Sequence, residues 1–170
     1  MRIPSTALLL PLAFLSACDL KDGSVDTGEI EDTEPEYNFE EGCILVDGEG
    51  GYRWVTDALT VADPGSTITL CAGEQEESIE VDKAVIIEGP EDEDLVWTGE
   101  TNKAVITIQG ADGVEVRNLT LHSSRNGINI ENATNTVVDN VYFTEIQGTG
   151  LRAVDAEATA VIDCFFGDLS

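Results

Sequence analysis

A repeat of short, β-branched segments constrains the fold of this chain more than any other feature. Each segment alternates apolar and polar residues and is bounded by Gly, Asn, Asp or Ser, which is typical of strands separated by turns. The segments recur every 22 to 24 residues in two series, namely Val114–Leu121, Thr136–Phe143 and Ala160–Phe166, and Val105–Ile108, Gly127–Ile130 and Gly150–Val154. The repeat therefore predicts two strands per unit and no helix within it.

A unit of this length cannot bury its own apolar face, so successive units must stack. The predicted fold is all-β, a right-handed parallel β-helix of about four coils. Aligning the repeats predicts two interior columns, formed by Val116, Val138 and Ile162 and by Leu119, Val141 and Phe165.

Two asparagines occupy the same place in successive coils. Asn118 and Asn140 follow the inward Val116 and Val138, and Cys164 takes their place in the last repeat. Stacked amides at an interior corner would hydrogen-bond from coil to coil, so we expect an asparagine ladder. The alternative is that each asparagine only forms a local turn.

A short amphipathic helix is predicted over residues 52–62, ahead of the repeats. Val55, Ala58, Leu59 and Ala62 recur at helical spacing, and Asp63-Pro64-Gly65 ends the pattern. Such a helix would cover the core and the strand edge of the first coil.

The segment from Trp54 to Gly89 resembles the opening coil of pectate-lyase-like right-handed β-helix proteins, and the resemblance continues through the repeats to residue 170. It rests on the helix, the Asp-Pro-Gly turn, the Thr67–Leu70 strand, Ala72-Gly73 and the Ile86–Gly89 strand. Enzymes of that family cleave or isomerise uronate polysaccharides on an outward sheet face. They use calcium with a basic residue, or paired aspartates.

The resemblance directs attention to Asp139 and Asp163, which the repeat alignment places one coil apart on the outer face. Carboxylates about 5 Å apart would raise one pKa or recruit a cation, so the pair could bind Ca²⁺ or act as acid and base. Alternatively, Arg117 pairs with Asp139, and Asp163 is solvated. Arg125 and Arg152 are candidate lyase bases, but the sequence predicts no calcium site beside them.

The N-terminus reads as an export signal over residues 1–17, with Arg2 before the apolar run Ala7–Leu15. Leu15-Ser16-Ala17-Cys18 resembles the bacterial lipobox. That resemblance implies cleavage before Cys18, acylation of Cys18 and attachment to a lipid bilayer. We expect an exported bacterial lipoprotein, in the cell membrane or the outer membrane. The alternative is an ordinary secretory signal.

Residues 18–41 predict an acidic, disordered tether, since they contain ten acids and one lysine. Ten of the 34 acids and two of the 8 bases precede residue 42. The predicted domain, residues 42–170, therefore holds 24 acids and 6 bases, a net charge of −18. Such a chain repels polyanions, so nucleic acid is not an expected partner.

Three cysteines remain once Cys18 is acylated. Cys43 precedes the predicted helix and Cys71 ends the first strand after it, so we expect a disulfide that joins the cap to the first coil. Cys164 is then a buried or free thiol. No CxxC motif or histidine cluster indicates a metal site.

The expected function is a membrane-anchored cell-envelope module for binding or scaffolding, with carbohydrate as the ligand suggested by family analogy. One alternative is the N-terminal part of a polysaccharide lyase or hydrolase whose cleft lies in further coils. Another is an adhesion stalk. Residues after Phe166 predict no cap, so the last coil would expose a strand edge. Three interpretations of this edge stay open: the chain is a fragment of a longer β-helix, a partner or second copy covers the edge, or the chain is a decayed paralogue.

Overall fold

The computed structural model describes residues 42–91, 94–122 and 124–167, all within the compact unit Tyr37–Ser170. The elements are β1 (Ile44–Val46), β2 (Glu49–Tyr52), α1 (Val55–Val61), β3 (Thr67–Thr69), β4 (Gly73–Glu76), β5 (Ile79–Val81), β6 (Ile86–Glu88), β7 (Leu95–Thr98), β8 (Ala104–Gln109), β9 (Glu115–His122), β10 (Asn126–Glu131), β11 (Val137–Thr144), β12 (Thr149–Val154), β13 (Ala160–Ile162) and β14 (Phe165–Phe166). The predicted signal peptide and tether lie outside the described residues.

The strands form a β-solenoid of about 4 turns. One four-stranded sheet has the order β12-β10-β8-β5, and every pairing within it is parallel. The other sheet has ten strands, because β9 and β11 each run through two stacks. The first half of β9 pairs with β6 and the second half with β7. On its other side β9 pairs with β11, whose first half pairs with β13 and whose second half pairs with β14. The predicted stacked all-β architecture is confirmed.

The long strands bend at single residues of left-handed conformation. Asn118 has a φ of 58° and Asn140 a φ of 50°, and Asp163 occupies the matching bend of the last coil with a φ of 46°. Asparagine and aspartate tolerate this region better than other side chains with a Cβ. The residue at the bend is thus Asp163, and the sequence alignment was wrong to place Cys164 there.

The last coil is shifted by one residue from the predicted register. Val138 lies opposite Val161 and Tyr142 lies opposite Phe165, so Ile162 and Phe165 do not continue the interior columns. The turn before β12 spans 145–148 and the corresponding turn before β10 spans 123–125, so this coil has one residue more than the coil before it. The alignment of Ala160–Phe166 with Thr136–Phe143 assumed two, and the one surplus residue displaces each side chain of the last coil by one position along the ladder.

The core is a stack of aliphatic residues with one column in which three of the four side chains are aromatic. Trp97, Leu121 and Phe143 are fully buried in successive coils, and Phe166 continues the column with its ring stacked on Phe143 at 4.7 Å between centroids. Gly127 lies against the Phe143 ring, and a Cβ at this position would overlap it. The glycine in β10 therefore makes room for the larger side chain on β11.

A hairpin and the helix cover the N-terminal end of the solenoid. β1 pairs antiparallel with both β2 and β3. The hairpin turns at Asp47-Gly48, where both residues have positive φ, as a tight Asp-Gly turn requires. The predicted cap helix is confirmed as α1, which buries Val55, Ala58 and Leu59. It is the only helix in the described part of the chain, and it is too short to cross a membrane.

Two side chains from the first coil hold the ends of α1. The buried carboxylate of Glu77 accepts hydrogen bonds from the backbone N–H groups of Val55, at 2.6 Å, and Thr56, at 3.3 Å. At the other end, the Lys83 ammonium donates to the carbonyl oxygens of Leu59 and Ala62, at 2.9 and 3.0 Å. These groups are the ones that a helix leaves unsatisfied, so the helix depends on the coil that it covers.

The C-terminal end of the solenoid is different. In the described chain, most of the exposed large hydrophobic side chains belong to the last coil or to the strand before it: Tyr142, Val154, Val161, Ile162, Phe165 and Phe166. Phe166 is 45% exposed, although the equivalent Phe143 is 0% exposed. No described residue covers this end.

Candidate functional site

A polar groove of about 680 Å³ lies on the outer face of the four-stranded sheet. Its centre is a column of outward side chains from four successive strands, Glu80, Thr107, Asn129 and Arg152. The inward neighbours of this column, such as Ile106 and Ile128, are fully buried. The period-two alternation of a strand therefore fixes the groove lining on one face and the core on the other.

The groove collects positive charge in a domain that is otherwise acidic. Lys103, Arg125 and Arg152 line it, three of the 6 bases in residues 42–170. Glu80 is the only carboxylate among its lining residues. Lys103 and Arg125 directly precede Ala104 and Asn126, which are register partners, so the two cations stand one coil apart at the same corner. The spacing between neighbouring strands is about 4.8 Å.

The three cations differ in their partners. The Lys103 ammonium lies 2.6 Å from a Glu100 carboxylate oxygen, and Arg152 donates to Glu131 at 2.7 Å. Arg125 is exposed and forms no ion pair within the described ranges. Exposed ion pairs contribute about 0 to 1 kcal/mol each, so a ligand anion can replace such a partner at small cost.

Amides form the floor between Arg125 and Arg152. The Asn126 side chain donates to the Asn129 side-chain oxygen at 3.3 Å and accepts a hydrogen bond from the Thr149 backbone N–H at 3.2 Å. Gly148 lies beside Asn126, and a larger residue would not fit there because its Cβ would lie 2.6 Å from the Arg125 carbonyl oxygen. These two hydrogen bonds orient the Asn126 side chain, and Asn129 lies beside it in the lining of the groove.

The asparagine pair lies at the outer surface of a bend. The Asn140 side chain donates to the Asn118 side-chain oxygen at 3.0 Å, across one coil. Asn140 is exposed and Asn118 is half-buried, so the interior position assumed for them was wrong. Both asparagines have positive φ and lie at the surface of the bend, a placement that the sequence pattern did not reveal.

The two aspartates of the acid-pair hypothesis do not share a column. Ile162, and not Asp163, lies opposite Asp139. Arg117 pairs with Glu88 at 2.6 Å and with Glu115 at 3.0 Å, and not with Asp139 as the alternative assumed. Its hydrogen bonds to Glu88, and the negative charge of both glutamates, raise the pKa of the Arg117 guanidinium.

The three described cysteines form one disulfide and one free thiol, as predicted. Cys43 and Cys71 form a disulfide with a Cα–Cα distance of 5.9 Å, which confirms that prediction. Cys164 is free and half-buried, and burial raises the pKa of its thiol. Cys18, the predicted lipidation site, lies outside the described residues.

In the same ranges, no three His, Cys, Asp or Glu side chains cluster as metal ligands would. The one histidine, His122, lies with Nδ1 at 3.1 Å from the Thr144 hydroxyl and with Nε2 at 3.7 Å from Glu145. His122 does not line the groove.

The sequence analysis identified Arg125 and Arg152 as candidate bases but did not predict that they line one groove. It did not identify Lys103, Asn126 or Asn129 as site residues. A signal was present: Lys103 and Arg125 are separated by 22 residues, the repeat period. Two like charges at one repeat position must lie side by side on a stacked fold.

Comparisons with known proteins return no match. No protein-family model matches the chain, and neither the curated proteins nor the solved structures contain a significant similarity to it. The assignment as a β-solenoid rests on the strand pairing of the chain itself.

Proposed function

We propose that this protein is a membrane-anchored module of the cell envelope that binds carbohydrate in the groove of the four-stranded sheet. The observation that carries the proposal is the gathering of half the domain's cations, with Asn129 and Thr107, in one groove of a domain with a net charge of −18. Amides, hydroxyls and guanidinium groups are the donors and acceptors that bind sugar hydroxyls.

The membrane attachment and the family assignment belong to the same proposal. The lipobox-like Leu15–Cys18 supports acylation of Cys18, and the acidic residues that follow support an extended tether. The resemblance of Trp54–Gly89 to pectate-lyase-like proteins supports a right-handed winding, which is also the general rule for parallel crossovers. Metabolic labelling with palmitate, in the wild type and in Cys18→Ser, tests the anchor directly.

The carbohydrate proposal is tested by NMR titration of the full chain carrying Cys18→Ser, so that the proposed acylation does not occur. The probes are cellotetraose, chitotetraose and tetragalacturonate, each with and without calcium. Saturable shifts of groove amides support the proposal. The double variant Asn129→Ala/Arg152→Gln should weaken binding by about tenfold or more, since it removes the central donors of the groove.

Gln109→Ala is the matched control, because Gln109 is an amide on the same sheet that does not line the groove. Shifts outside the groove only, or none with any probe, would contradict the proposal. Unsaturated or reducing-sugar products during the titration would establish the lyase or hydrolase alternative. Calcium dependence would reopen the question of a cation site.

The exposed end supports a second candidate, a stalk that associates end to end with a second copy. Strands β12, β13 and β14 form the unpaired edge there, beside Val161 and Phe166. Sedimentation equilibrium of the Cys18→Ser chain tests it. Self-association that Phe166→Glu abolishes, without any sugar binding, would favour the stalk.

A further inference from the structure

We infer that the corner formed by Lys103 and Arg125 is a binding site for a tetrahedral oxyanion, a phosphate or sulfate group. The corner is part of the groove, so this inference rests on the proposed function in taking the groove as a ligand site. It adds the chemical class of the group that the ligand carries.

The first argument is the stacking of two like charges. Lys103 and Arg125 lie at equivalent positions one coil apart, about 4.8 Å between strands. Such neighbours repel each other unless an anion lies between them. Glu100 neutralises Lys103 from the preceding turn, but Arg125 forms no ion pair with any residue of the described chain. The unpaired charge is therefore available to a ligand.

The second argument is the number and geometry of the donors. A guanidinium offers two parallel N–H donors to two oxygens, and an ammonium one coil away offers a third donor from another direction. Three donors match three oxygens of a phosphate or sulfate monoester, whereas a carboxylate has only two. The Asn126 amide contributes less, because it already bonds to Asn129 and Thr149.

The third argument concerns the rest of the ligand. Arg152 lies in the column of Asn129, three residues along the strand from Asn126 and one coil further, or about 10 Å along the strand direction. Between these ends the floor is made of amides. A molecule with an oxyanion at the Lys103–Arg125 corner would therefore extend its hydroxyl groups towards Arg152. A phosphorylated or sulfated sugar has this chemistry, and a phospholipid headgroup shares the oxyanion.

The test uses the full chain with Cys18→Ser and inorganic phosphate as the probe, followed by NMR at constant ionic strength. Saturable shifts of the Arg125 Nε–H and of the Asn126 backbone amide are expected. Acetate, the two-oxygen comparison, should bind several-fold more weakly. Arg125→Gln should weaken phosphate binding by about tenfold, and Lys103→Gln by about threefold because Glu100 competes for this ammonium.

Arg53→Gln removes the same charge outside the groove and controls for a change in net charge. Equal losses in Arg53→Gln and Arg125→Gln, equal binding of acetate and phosphate, or no saturation would overturn the inference. Phosphate binding without binding of any tetrasaccharide would support the oxyanion site and contradict the carbohydrate proposal. Tetrasaccharide binding that survives in Arg125→Gln, with no phosphate binding, would do the reverse.

Two further arms identify the source of the oxyanion. One is glucose 6-phosphate, and the other is vesicles of phosphatidylglycerol compared with vesicles of phosphatidylcholine. Tighter binding of the sugar phosphate than of inorganic phosphate would assign the site to a phosphorylated saccharide. Sedimentation with phosphatidylglycerol vesicles alone, lost in Arg125→Gln, would assign it to lipid headgroups.

Discussion

The first and last coils contain the same kind of apolar interior, but described residues cover only the first. At the N-terminal end, α1 and the β1–β2 hairpin close the core, and Glu77 and Lys83 fix the helix in place. At the C-terminal end, Val161 and Phe166 are about half exposed. In a stacked core, each side chain is stabilised by the coils on both sides of it. The same type of side chain should therefore contribute less to the free energy of unfolding in an uncovered coil than in a middle coil.

The largest predicted effect compares two phenylalanines of one column. Phe143→Ala should lower the free energy of unfolding by about 3 to 5 kcal/mol, because the ring is fully buried between coils. Phe166→Ala should cost only about 1 kcal/mol, because its ring has a neighbour on one side only. Urea denaturation of the Cys18→Ser chain measures both values.

The pair is its own control, since both substitutions remove the same ring from the same column. Equal losses would mean that Phe166 is covered in solution. Repeating the measurement over a range of protein concentrations would then show whether a second copy supplies the cover, because stability would rise with concentration.

The second prediction removes the disulfide from the covered end. Cys43→Ser/Cys71→Ser should lower the free energy of unfolding by about 3.6 kcal/mol in the chain-entropy model, for a sequence separation of 28. Amide exchange should increase first in β1 and β3, which the disulfide joins, and in β2, which pairs with β1. Cys164→Ser is the control and should leave exchange in these strands unchanged. A uniform increase throughout the solenoid would show that the cap and the coils unfold together.

The sequence predicted the solenoid because its main determinants are local. Strand periodicity and a fixed repeat length are visible in any window of the chain, and Val116, Val138, Leu119 and Val141 occupy the predicted columns. The predicted register of the last coil was wrong because the alignment assumed two additional residues in that coil, whereas the structure has one, between Thr144 and Thr149. An error of one residue in the register leaves the composition of a strand unchanged, but it assigns each side chain to the opposite face of the sheet.

The groove could be predicted only in part. Repeat spacing alone would have paired Lys103 with Arg125. The same alignment places Arg152 opposite Asn129, in a different column, but it does not show that the two columns line one groove. The hairpin was also missed, although Asp47-Gly48 is a turn signal, because β1 and β2 contain few alternating apolar residues.

The smallest predicted effect concerns Asp47 in the covering hairpin and acid pH. The Thr67 backbone N–H donates to the Asp47 carboxylate at 2.8 Å and lowers its pKa from the ordinary value. A carboxyl with a lowered folded-state pKa contributes stability above its unfolded pKa, about 3.9, and loses it as pH falls through the folded value. Asp47→Asn keeps an acceptor oxygen, so stability at neutral pH should change little. The fall in stability below about pH 4 should become shallower.

Urea midpoints from neutral pH to the acid range measure this slope. Asp112, whose pKa is lowered by hydrogen bonds from Asn135 and Thr134, provides the same test in the middle coils through Asp112→Asn. Glu49→Gln removes an equal charge from the hairpin, where the described structure shows no hydrogen bond to that side chain, and controls for the change in net charge. If only Asp112→Asn flattens the slope, the hairpin separates from β3 before the coils unfold, and the covered end is then the weaker of the two in acid.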